Sequence, residues 1–158
     1  MTSQSETGCC PRFAPEQWDG KEIAWQDKLF VKDHVISFLH IPLNFGGVVV
    51  RNMKKIEASG AENSQNMMLS EEKSLWGSDL HIAVNKEIPG AELSRISGTF
   101  MAKVFEGPYK NAGKWAKEMD AHVKSKGKDP KGMFFWYTTC PKCAKTYGKN
   151  YVVIFAKV

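Results

Sequence analysis

The chain has 158 residues, 42% of them hydrophobic, which is enough to fill the core of one domain or of two small modules sharing one core. No run approaches the ~20 apolar residues that a membrane-crossing helix needs, and the opening MTSQSETGCCPRF has neither a basic nor an apolar leader region, so the expectation is a cytoplasmic protein with no membrane role. The net charge of +5 raises nucleic acid as a partner, but acids interleave with the lysines, as in AGKWAKEMDAHVKSKGKDPK, and the only arginines are Arg12, Arg51 and Arg95; this is the pattern of a solvated helix face, and direct nucleic-acid binding is not expected.

Residues 1–28 read as an irregular lead-in that carries Pro, Gly and Trp without periodicity. VISFLH, residues 35–40, is rich in β-branched and aromatic residues and predicts a strand. In FGGVVVRNMKKIEASG, Phe45, Val48, Val49, Asn52, Met53 and Ile56 fall at helical spacing, and Gly60 stands where a helix would stop. Short strands follow at 67–69 and 80–84, closed by the turn signal IPG at 88–90. The second half repeats this order. A strand at 100–107 leads into a helix over 109–126 with the stripe Ala112, Trp115, Ala116, Met119 and Val123, then Gly127, then strands at 133–137 and 151–158.

The two halves align. Phe45, Val48, Val49, Ile56 and Gly60 match Ala112, Trp115, Ala116, Val123 and Gly127 at a constant offset of 67, and residues 35–40 match 101–106 at 66. The predicted fold class is α+β: tandem βαββ repeats, about 29–89 and 90–158, related by a pseudo-twofold, with an antiparallel sheet, helices on one face and a central ligand cleft.

Gly-Pro-Tyr at 107–109, the helix with Trp115 that follows it, the Gly127 stop, the strand carrying Tyr137 and the closing YVVIFAKV together resemble the GyrI-like small-molecule-binding domain family, over residues 30–158. The resemblance implies two βαββ modules around a cleft that takes bulky, flat, often cationic aromatic compounds. Some stand-alone members resemble hydrolases of cyclopropane-bearing DNA-alkylating natural products. Where the family often has a His before the Gly-Pro-Tyr this chain has Glu106, and where it often has a Glu before the strand tyrosine this chain has Phe135.

A flat cationic guest needs aromatic faces and a carboxylate whose desolvation the guest's charge offsets. Glu106 and Tyr137 are therefore the expected catalytic pair, with His40, His81, Tyr109, Phe135, Trp136, Tyr151 and Phe155 as ligand-binding residues. The expected partners are hydrophobic aromatic or cationic small molecules, with no cofactor and no metal. A non-enzymatic protein-interaction module, such as one that modulates a topoisomerase, is the alternative. The Cys140-Pro-Lys-Cys143 motif does not fit a thioredoxin site, since only 15 residues follow Cys143. It reads either as half of a zinc site completed by Cys9 and Cys10 or a histidine, or as a tight connection between strands at the rim of the pocket.

Overall fold

A helix forms where an apolar stripe recurs every three to four residues, and both stripes read from the sequence are helical in the computed structural model, which describes residues 13–38, 41–42, 44–74, 77–138 and 151–158. In chain order the elements are β1 (Glu22–Phe38), β2 (Ile41–Pro42), α1 (Phe45–Ala58), β3 (Asn63–Ser74), β4 (Gly77–Val84), β5 (Leu93–Glu106), α2 (Ala112–Ser125), β6 (Gly132–Tyr137) and β7 (Tyr151–Lys157). Single 3-10 turns stand at Pro15–Gln17 and Tyr109–Asn111. The registered strand pairs are antiparallel, so the class is α+β. The chain divides into two compact units, residues 26–97 and residues 1–25 with 98–158.

In the 26–97 unit the strands lie in the order β1-β4-β3, with β2 paired to the end of β1. One face of this sheet presents Val31, Val35, Leu80, Ile82 and Val84 to Val48 and Ile56 of α1. Each fully buried side chain of this size contributes about 1.5–3 kcal/mol. Asn44 joins the start of α1 to β1, its Oδ1 accepting from the Ile36 amide at 2.8 Å while its carbonyl accepts from Val48 N at 3.0 Å.

A polar knot also ties α1 to β1. The Asp33 carboxylate accepts from Arg51 Nη2 and Asn52 Nδ2, both at 2.7 Å, and from Arg51 Nε at 3.0 Å, and Asn52 is itself buried. Burial pushes the Asp33 carboxyl up, but the hydrogen bonds from Asn52, Arg51 and the His34 amide, with the Arg51 charge, outweigh it and hold the group below its ordinary 3.8. A depressed carboxylate pKa stabilises the fold above the unfolded value, and that stability is lost as pH falls through the folded one. Asp33→Asn should therefore cost about 1–3 kcal/mol near neutrality and flatten the acid limb of the stability curve, which urea melts between pH 3 and 7 will read.

In the other unit the order is β5-β7-β6. Phe105, Val152, Ile154 and Ala156 face Trp115, Met119 and Val123 of α2, with the Phe105 and Trp115 rings stacked at 5.8 Å. The solvent side of α2 carries the Lys114–Glu118 and Lys124–Asp120 pairs, as expected for its mixed-charge sequence. On the opposite sheet face Phe100, Phe134, Trp136 and Phe155 are covered by rings from the N-terminal segment. Phe13 and Trp18 meet Trp136 at 5.5 and 5.1 Å, and Trp25 meets Phe100 at 4.7 Å and Phe155 at 5.1 Å.

The lead-in is thus not irregular as far as residue 28. Gly20 N donates to Ala102 O at 3.0 Å, Ala102 N donates to Lys21 O at 2.8 Å, and β1 begins at Glu22. Ile23 and Trp25 alternate with exposed Glu22, Ala24 and Gln26, a short period-two pattern that bends at Asp27, where φ is 50°. β5 likewise starts at Leu93, not at Phe100, and the second helix starts at Ala112 after the 3-10 turn. The offset of 67 carries both boundaries of α1 onto those of α2, and each helix ends near a glycine in the left-handed region, Gly60 at φ 67° and Gly127 at φ 75°. Among the described residues no helix is long and apolar enough to cross a membrane.

Candidate functional site

Along β4, GSDLHIAV, alternate residues part: Leu80, Ile82 and Val84 pack toward α1, and Asp79, His81 and Ala83 point to the other face. Register then decides what joins them. His34 of β1 stands opposite Asp79, and Asp79 opposite Glu71 of β3; in the next row Lys32, His81 and Leu69 are aligned. The face is graded along the strands. It runs from buried Phe30, Leu69 and Ala83 to a patch of His81, Asp79, Glu71, His34 and Lys32.

The patch is close-knit. His81 Nε2 lies 3.6 Å from Glu71 Oε1, His34 Nδ1 3.2 Å from Asp79 Oδ1, and Lys32 Nζ 3.7 Å from Asp79 Oδ2. One donor atom each from Glu71, Asp79 and His81 fall within 4.8 Å of one another. The His81 side chain is 6% exposed, Asp79 14% and Glu71 26%. The Phe30 ring meets the imidazole edge-on at 6.1 Å.

His81 Nδ1 is 3.0 Å from Ser94 Oγ on β5. With its proton on Nδ1 the ring donates to Ser94 and turns the Nε2 lone pair toward the carboxylates; with the proton on Nε2 it faces Glu71. Burial pushes His81 below its ordinary 6.5, and the Glu71 and Asp79 charges oppose that without overcoming it. The imidazole is therefore neutral at pH 7 while lying beside two anions, a state from which it can take a proton or bind a cation.

Of the residues expected from sequence, His81 lies in this cluster. Glu106 and Tyr137 do not pair at their own sheet. Glu106 registers with Tyr151, whereas Tyr137 registers with Val152, and neighbouring residues on β7 point to opposite faces. Tyr137 and Phe135 pack with the α2 cluster, and Glu106 is exposed on the face that carries Trp136, Tyr151 and Phe155. Trp136 and Phe155 are buried and stacked, centroids 6.3 Å apart at 14°. Tyr109 opens the 3-10 turn before α2. His40, Cys9, Cys10, Cys140 and Cys143 lie outside the described residues.

A cavity of about 230 Å³ in the unit of residues 1–25 and 98–158 is lined by Lys21, Glu22, His122, Lys126 and Lys128 around Gly20, Met101 and Ala102. Burial, then the Lys103 and Lys126 charges, lower the His122 pKa. This cavity contains none of the expected site residues.

Sequence reading missed Glu71, Asp79, Lys32, His34 and Ser94. Asp79 stands one residue before the expected strand at 80–84 and shares a face with His81 because β4 begins at Gly77; Glu71 joins them only through register. A neutral buried imidazole flanked by carboxylates is the equipment of enzymes that take a proton from water. The chain belongs to the family described as bacterial hydrolase, whose model matches residues 1–158. No curated protein matches it.

Proposed function

We propose that the protein hydrolyses a small organic molecule, with water activated at His81 between Glu71 and Asp79. The observation that carries this reading is the 6%-exposed imidazole, its pKa lowered by burial, with its Nε2 3.6 Å from Glu71 Oε1, in a chain that belongs over its whole length to a hydrolase family. His81 takes the proton of the attacking water, and the two carboxylates stabilise the imidazolium as it forms. Lys32, 3.7 Å from Asp79, sets a positive charge beside the anion that develops on the substrate.

For the substrate class, the likeness to GyrI-like domains favours flat aromatic or cationic compounds, including cyclopropane-bearing ones. Taken by itself, the unit of residues 1–25 and 98–158 offers half-buried Phe13, Trp18 and Tyr151 and exposed Glu106, which is registered with Tyr151, as a binding surface of its own for such compounds. The duplicated βαββ plan belongs to the same reading, supported by the matching strand orders β1-β4-β3 and β5-β7-β6 and by the helix offset.

The test is a panel of aromatic esters, amides, lactones and cyclopropanoids, followed by chromatography of products. Glu71→Gln should lower kcat/KM about 10- to 100-fold on any substrate found, because the imidazolium loses one of its two flanking charges. Turnover equal to wild type in this variant would move the chemistry away from His81.

A further inference from the structure

We infer that Glu71, Asp79 and His81, with His34 able to close the set, form a binding site for one divalent cation of the first transition row, zinc-like in its preference for imidazole and carboxylate. The inference rests on the hydrolytic reading above and deepens it at the same residues: with Nε2 on the ion, His81 would serve as a ligand instead of the proton acceptor, and the cation would be the group that activates the water.

The strand register supplies the donors. His34, Asp79 and Glu71 run straight across three antiparallel strands, and His81 sits two residues along β4 from Asp79 on the same face. Around a tetrahedral ion with ligands at roughly 2.0–2.2 Å, neighbouring donors stand roughly 3.3–3.6 Å apart. His81 Nε2 to Glu71 Oε1 is 3.6 Å and His34 Nδ1 to Asp79 Oδ1 is 3.2 Å, so the pairs are already near ligand spacing. A first-transition-row ion is favoured over magnesium or calcium because the most buried donor is an imidazole nitrogen, with a second imidazole, His34, beside Asp79.

The surroundings suit such an ion. Ser94 Oγ, 3.0 Å from His81 Nδ1, is the outer partner that orients a ligating imidazole and leaves Nε2 for the ion. Among the described residues, the two carboxylates of this patch stand against Lys32, an excess of negative charge before loading. The His34 side chain is 57% exposed, so it can yield its position to water or substrate and keep the fourth site exchangeable.

The experiment titrates the metal-stripped full chain with cobalt(II) at neutral pH and reads visible absorption. The expected result is d–d bands that saturate at one equivalent, without thiolate-to-cobalt charge transfer, and an affinity at least tenfold weaker in Glu71→Gln and in Asp79→Asn. Both variants alter partly exposed side chains, and their circular dichroism melts verify folding; His34→Gln, on the more exposed ligand, gives a third variant that should weaken binding less. No cobalt uptake overturns the inference, as does uptake with thiolate charge transfer that these variants leave unchanged. Cobalt binding in a protein that hydrolyses nothing keeps the cation site and removes the hydrolytic reading. Hydrolysis that survives stripping, with no uptake, does the reverse.

Discussion

Phe155→Ala should destabilise the protein by about 3–5 kcal/mol, the usual result of emptying the space of a buried aromatic ring. Phe155 is fully buried on β7, in register with Ala102 on one side and Phe134 on the other. Its ring meets Trp18 at 5.7 Å, Trp25 at 5.1 Å and Trp136 at 6.3 Å. Two of these partners come from the N-terminal segment, so the variant removes the ring on which that segment is seated. A loss of this size is a large share of the roughly 5–15 kcal/mol that holds a domain folded. Urea melts followed by tryptophan emission will measure it, and Phe155→Leu should lie between the two. A loss under 1 kcal/mol would mean that the aromatic face is loosely packed and that these contacts carry little.

The second large effect belongs to His81. His81→Gln keeps the approximate size and a hydrogen-bonding group near Ser94 but can neither take a proton from water nor ligate a cation as an imidazole does, so turnover should fall about 10²- to 10⁴-fold. The wild-type pH profile should show an acid limb below the ordinary histidine value of 6.5, because burial lowers the His81 pKa and the neutral ring is the working form. The stability curve follows the same sign. A histidine whose folded pKa is depressed contributes stability above the unfolded value, and that contribution is lost as pH falls toward the folded one. Both limbs should vanish from the residual behaviour of the variant. An activity limb that persisted unchanged in His81→Gln would assign it to another group.

The helices were legible because their signal is local. Six stripe positions, five of them apolar, and one glycine define α1, and the counterpart stripe and glycine define α2. The starts of β1 and β5 were not, since Glu22, Gln26, Arg95 and Ser97 dilute the alternation until little apolar pattern is left. The site needed still more. Sequence parity gives the face of a residue within its own strand, and so pairs Asp79 with His81. Which face of one strand matches which face of the next depends on register, which connecting loops and packing settle. That is why Glu71 went unseen, and why Glu106 and Tyr137, assigned to one site, stand on opposite faces of their sheet.

The strand order has a consequence for how the protein is made. Residues 26–97 are continuous, so that unit can close as soon as β5 begins to emerge during synthesis. The other unit draws on residues 1–25 and places β7, the last strand in sequence, between β5 and β6. Until β7 has been made, β5 and β6 each carry an unfilled strand edge, the rings of Trp18 and Trp25 have no Phe155 to settle on, and Phe13 has no Tyr151. Nascent chains stopped short of β7 would therefore be sticky species, candidates for capture by chaperones, although their first unit was already complete.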